Sequence, residues 1–183
     1  MAKHGVLVES LISATNIDAL QRSFKAEVEI DGGGVVSLTA PTAQGDNVWT
    51  ATAGFVEGKT VAIAYNPALK VIPVNGKEYA GLSNDDRDYT NLPAHVGGAF
   101  IPQKNSEIVI TVDDIVDSTK SLAVAGNYLV PTVGDFKWTA QAEAPAKGLA
   151  LQIEHGVKIQ YPAEKGTIGF ATQDAVKAVV VAE

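Results

Sequence analysis

The sequence predicts an all-β chain, a single β-barrel or β-sandwich domain with short helical turns, and three observations carry that expectation. Short runs rich in Val, Ile, Thr, Phe and Tyr alternate with clusters of Gly, Asn, Asp and Pro, the spacing of an all-β domain. Residues 24–30 set apolar Phe24, Ala26, Val28 and Ile30 against Lys25, Glu27 and Glu29, the period of two that marks a strand with one buried face. Segments carrying a helical stripe are scarce.

Taken in order, residues 6–20 are ambiguous, because Leu7, Leu11 and Ala14 fit a helical stripe while Ser13, Thr15 and Asn16 favour extended or turn structure. Residues 1–23 are therefore expected to form an extended N-terminal arm that leaves a single β domain spanning 24–183. Asp31-Gly32-Gly33-Gly34 permits positive φ for a reversal, so residues 24–30 should pair with residues 35–39. Residues 48–53, 60–65 and 69–74 read as strands. Asn75-Gly76 is the strongest hairpin signal, since both central positions of a type I′ turn need positive φ. Pro73 lacks a ladder donor and argues for an edge. Residues 79–103, with Gly81, Pro93, Gly97-Gly98 and Pro102, read as a long excursion with little regular structure. Asp113, Asp114 and Asp117 after Thr111 suit the first turn of a short helix. The C-terminal third reads as a meander over 136–141, 149–154, 157–161, 167–171 and 175–181, with His155-Gly156 turning the second strand into the third.

Composition narrows the function classes. Of 183 residues, 46% are apolar and 19% charged, which excludes an acidic disordered tail. Lys and Arg number 14 against 21 Asp and Glu, a net charge of -7, and no basic cluster is present, so a phosphate backbone would be repelled and no nucleic-acid partner is expected. No run approaches the roughly 18 apolar residues of a membrane helix, and Glu9 interrupts the only apolar stretch near the start, so neither a membrane partner nor a signal peptide is expected. With no Cys, thiolate metal sites and cysteine nucleophiles are out.

Candidate chemistry is thin. His4, His95 and His155 are scattered, and no nucleophile elbow, zinc-binding helix or phosphate loop accompanies them, so no catalytic residue, cofactor or metal site is expected. Asp85, Asp86 and Asp88 form the densest carboxylate cluster. Their D-D-R-D spacing lacks the glycine and terminal glutamate of a calcium loop, and Arg87 among them favours internal ion pairing over a cation. Trp49, Trp138 and Tyr65 could form a sugar-stacking platform, though large rings within strand-like patterns are more often core or interface residues.

The middle of the chain carries a resemblance. Val61-Ala62-Ile63-Ala64-Tyr65-Asn66-Pro67 is followed by Asn75-Gly76-Lys77-Glu78-Tyr79-Ala80-Gly81-Leu82-Ser83. Then come Asp86-Arg87-Asp88-Tyr89-Thr90-Asn91 and Phe100-Ile101-Pro102-Gln103, leading into Glu107-Ile108-Val109-Ile110-Thr111. Over residues 49–115 this resembles small structural proteins encoded among the head genes of tailed bacteriophages. The resemblance implies a capsid decoration, or cement, protein with no enzymatic residues. Its partner would be the major capsid protein on the exterior of the virion. It would be made in the host cytoplasm and act as a homo-oligomer on the shell, with a trimer among the candidates. The expected capsid contacts are Val6, Leu7, Leu11, Ile12, Ile17 and Leu20 on the arm, with Asp86, Arg87 and Asp88 on the central loop. Deleting residues 1–23 is then expected to leave a folded domain that no longer binds shells. A tail-tube or baseplate protein and a carbohydrate-binding surface module are the alternatives.

Overall fold

The computed structural model describes residues 4–9, 12, 20–43, 47–83, 85–93, 95–162 and 170–182. Among them the fold is all-β with a few 3-10 turns. Five strands, β1 (Gln21–Lys25), β2 (Val35–Pro41), β3 (Val48–Ala53), β4 (Thr60–Ala64) and β7 (Gly97–Phe100), close into a barrel in the order β1-β3-β2-β4-β7. β1 makes the closure by pairing parallel to β3 and antiparallel to β7. A barrel this small leaves room only for compact side chains. Phe24, Ile30, Val36 and Leu38 accordingly share one apolar cluster with Ala51, Ala62, Ala64 and Ala99.

The remaining long strands, β8 (Glu107–Thr111), β9 (Tyr128–Pro131), β10 (Trp138–Gln141), β11 (Ala150–Pro162) and β12 (Phe170–Ala182), form a second sheet in the order β10-β9-β11-β12-β8. The two sheets share one core. Along β4, Ala62 and Ala64 belong to the first cluster while Ile63 joins Val35, Phe100, Ile108, Leu129, Trp138 and Leu151 in the second. Period-2 alternation thus supplies two apolar faces from one strand. Trp138, fully buried, ties the layers together by donating from Nε1 to the Gly33 carbonyl at 2.9 Å. Gly33 sits at φ +92, and a Cβ there would come within 3.0 Å of Ile110 Cγ2, so this crossing admits only glycine.

β5 (Val71–Val74) and β6 (Lys77–Ala80) form a two-stranded sheet of their own. Asn75 and Gly76 adopt φ 52 and 74, and Val74 pairs with Lys77, the tight hairpin expected of Asn-Gly.

Four expectations are corrected. Residues 24–30 do not form one strand paired with 35–39: β1 ends at Lys25, the chain bends at 27–28, Val28 is exposed, and β2 pairs with β3 and β4 instead. The alternation identified Phe24 and Ile30 as buried, but Ile30 meets Asn91 through an isolated bridge. His155-Gly156 is not a turn, because β11 runs straight through it. Ile153 pairs with Ala178 and His155 with Lys177, leaving Glu154 as the extra residue of a β-bulge. The excursion over 79–103 contains β7, whose Gly97 and Gly98 lie opposite Phe24 and Ser23 in the barrel wall. Finally, residues 4–8 do not leave the domain as an arm. Leu7 bridges Ile110, the Val8 amide donates to the Val109 carbonyl, and Val6 and Leu7 are buried.

Candidate functional site

The N-terminal segment is held by polar side chains as well as by its apolar ones. Asn66 acts as a surrogate strand toward Leu7, accepting from its amide at 3.0 Å and donating to its carbonyl at 2.7 Å. The Val6 amide donates to Thr111 Oγ1 at 3.0 Å, and that hydroxyl donates to Asp114 Oδ2 at 2.9 Å. His4 Nδ1 lies 2.8 Å from Asp31 Oδ1, and the Gly5 amide donates to Asp31 Oδ2 at 3.1 Å. The hydrogen bond to Asp31 raises the His4 pKa above its ordinary value. Burial alone would push Asp31 up, but the His4 ring and the Gly5 amide outweigh it and hold the carboxyl below its usual range.

Asp114 behaves oppositely. Burial drives its pKa well above the carboxylate range, the Thr111 bond opposes the rise, and Asp31 and Asp113 add to it while Lys137 subtracts. Between the unfolded value of about 3.9 and the raised folded value, the native state keeps a proton that the unfolded chain has lost, so this group makes stability fall as pH rises. The raised His4 loses its contribution only as pH climbs through its folded pKa, and the lowered Asp31 loses its own only in acid, so both are nearly constant from pH 4.5 to 6. Asp114→Asn is therefore expected to gain stability relative to the wild type across that interval. Urea unfolding at the two pH values checks this, and a difference that does not change with pH would contradict it.

The central loop is tied to itself. Arg87, buried in the 3-10 turn Asp86–Asp88, makes a forked ion pair with Asp85 through Nε at 2.9 Å and Nη2 at 2.6 Å. Its guanidinium stacks 4.4 Å from the centre of the Tyr161 ring, and burial pushes the Tyr161 hydroxyl up to about 12. Asp86 pairs with Lys70, Asp88 accepts from Ser83 Oγ at 2.6 Å, and Tyr89 donates to the Ser83 carbonyl.

The expected contact residues thus divide. Val6, Leu7 and Ile12 are buried in the chain's own core, so their side chains are not offered outward, which corrects their assignment as capsid contacts. Leu20 is half-buried, its carbonyl accepting from the Ile101 amide. Leu11 and Ile17 lie outside the described residues. Arg87 serves the loop, while Asp86 and Asp88 keep partial exposure at its rim. Asp31, Asn66 and Asp114 escaped the sequence reading because their partners are 26 to 59 positions away or, for Asp114, because burial is invisible in an acidic turn.

Of the three aromatics weighed as a platform, Trp138 is excluded by its burial. Trp49 and Tyr65 do share a cleft, an open hollow of about 520 Å³ with Gln21, Arg22, Asn47 and Gly98 among its walls. His95 meets Glu78 at 2.8 Å on the surface, and His155 lies exposed in β11. Among the described residues no group of three His, Asp or Glu is placed to hold a metal ion, and no helix is long and apolar enough to cross a membrane. Comparison of the chain with protein-family models, with curated proteins and with solved structures finds no match.

Proposed function

We propose that this chain is an adhesive structural protein, a capsid decoration protein that binds the outside of a bacteriophage shell and works through contacts with the major capsid protein. One observation carries the reading. The β5–β6 hairpin stands outside both larger sheets, and β6 is exposed along its whole length. It presents Val74 and Tyr79, and the flanking Leu69 and Leu82 are 51% and 53% exposed. Val96, close to Leu69 at the base of the hairpin, is also exposed. An apolar surface gathered on an exposed hairpin is characteristic of a protein-binding face, and it lies inside residues 49–115, the stretch that carries the resemblance. The ionisable clusters described above are engaged with one another as fasteners of the fold, which fits a chain whose work is contact.

Many copies of one site on a shell let weak contacts add through linked binding. The test is co-sedimentation with empty shells assembled from the cognate bacteriophage major capsid protein. Saturation at a fixed copy number per shell is expected, and Tyr79→Asp combined with Leu82→Asp should abolish it without unfolding the protein. Failure of the wild-type chain to sediment with shells would refute the proposal.

A further inference from the structure

The tip of the β5–β6 hairpin brings together the two groups that an intramolecular condensation needs. Asn75 is the one asparagine of the chain that glycine follows, and both residues are exposed. The tight turn places its closing pair at Val74 and Lys77. Among the described residues, neither the Asn75 side chain nor the Gly76 amide takes part in a hydrogen bond. Gly76 offers no steric shield either, since even a Cβ placed there would meet nothing within 4 Å. Attack by the Gly76 nitrogen on the side-chain carbonyl carbon requires Asn75 to rotate out of its turn conformation at φ 52. A two-stranded sheet standing alone is only marginally stable. This one has four residues per strand and is joined to neither larger sheet, so local opening of its tip costs little.

Two comparable sites in the same chain are held shut. At Asp31-Gly32 the carboxyl is engaged by His4 and the Gly5 amide, and Gly32 is buried, with Asn66 Oδ1 1.9 Å from where its Cβ would stand. At Asn105-Ser106 the attacking nitrogen is occupied, donating to the Gln103 carbonyl at 2.9 Å, and Ser106 is buried. We propose that Asn75 is a modification site at which the chain deamidates itself. The Gly76 nitrogen bonds to Asn75 Cγ, the Cγ–Nδ2 bond breaks, and the proton from Gly76 leaves with that nitrogen as ammonia. Water then opens the resulting succinimide at either carbonyl, giving aspartate or isoaspartate. Either product carries a carboxylate next to the exposed Val74, and isoaspartate adds a methylene to the main chain that the two-residue turn does not accommodate. On the reading that the hairpin docks to shells, conversion withdraws copies from docking, because an unpaired carboxylate is costly to bury against an apolar contact.

The test ages the intact folded chain in warm, mildly alkaline buffer beside the same chain unfolded in urea. Peptide mass spectrometry, with chromatographic separation of aspartate from isoaspartate, maps the products. In the folded chain Asn75 is expected to convert severalfold faster than Asn105 or Asp31, and unfolding should release the latter two. Asn75→Gly removes the site and keeps a dipeptide that forms the same turn. In shell co-sedimentation the aged wild type should lose bound copies in step with the fraction converted, while aged Asn75→Gly keeps its full complement. An Asn75 that stays intact in the folded chain, over a time in which the unfolded chain converts there, would overturn the proposal. So would Asn105 converting first, or converted wild type that binds shells as fully as aged Asn75→Gly. If fresh wild-type chain fails to sediment with shells, the docking reading fails, and the mass measurement alone decides the modification.

Discussion

A chain lacking residues 1–23 is expected not to fold. The deletion removes Val6, Leu7 and Ile12 from the core, leaves the hydrogen-bonding groups of Asn66 and Thr111 without their main-chain partners, and takes Gln21 to Ser23 out of the strand that closes the barrel. Leu7 alone indicates the scale. A buried leucine truncated to alanine costs about 2–5 kcal/mol, against a total of about 5–15 kcal/mol for a domain. Circular dichroism and urea unfolding of the truncated chain should show no cooperative transition, and Leu7→Ala should lower the urea midpoint by an amount corresponding to about 3 kcal/mol. A cooperative transition in the truncated chain with a midpoint near the wild type would show that these contacts contribute little. The result reverses what the sequence suggests, an arm that serves shell binding and that the fold does not need.

Arg87→Ala should be nearly as damaging as the leucine truncation. The guanidinium is buried, forked onto Asp85 and stacked on Tyr161, and the Arg87 carbonyl accepts from the His4 amide at 2.8 Å. Removing one member of such a pair leaves the other charge poorly solvated, at a cost of about 3 kcal/mol. Arg87→Lys should recover little of it, because an ammonium cannot reproduce the fork or the stacking. The double variant Asp85→Asn with Arg87→Ala should lose less than the sum of the two single changes, since neither charge is then left alone. Urea midpoints of the four proteins provide the cycle, and a loss below about 0.5 kcal/mol for Arg87→Ala, the level of an ordinary surface change, would mean that water replaces the pair without penalty.

Fold class and hairpin chemistry were legible because both depend on neighbours in sequence. Alternation marked Phe24 and Ile30 as buried, β3 falls on the expected residues 48–53, and Asn75-Gly76 forms the turn that its φ tolerance dictates. Errors arose where one local signal has two structural meanings. A Gly after His155 suits a turn or a bulge, and only the partner strand β12, whose Ala178 and Lys177 frame the extra Glu154, decides between them. Gly97-Gly98 reads as loop punctuation, yet those residues form barrel wall, where Phe24 and Tyr65 occupy the space that side chains would need. The N-terminal segment reads as an arm because its partners Asn66, Val109 and Thr111 lie 59 to 105 positions away. At the cleft, Trp49 and Tyr65 were visible as aromatics, but not that β1 and β7 bring them to one hollow while Trp138 goes to the core.

Adhesion to an assembled shell is tested most directly by differential scanning calorimetry of empty shells with and without saturating protein. A ligand that binds only the assembled state stabilises it by mass action, so the shell transition should move to higher temperature and return to its original position with the Tyr79→Asp, Leu82→Asp variant. A shell transition that stays at the same temperature when the wild-type protein is added would contradict the assignment.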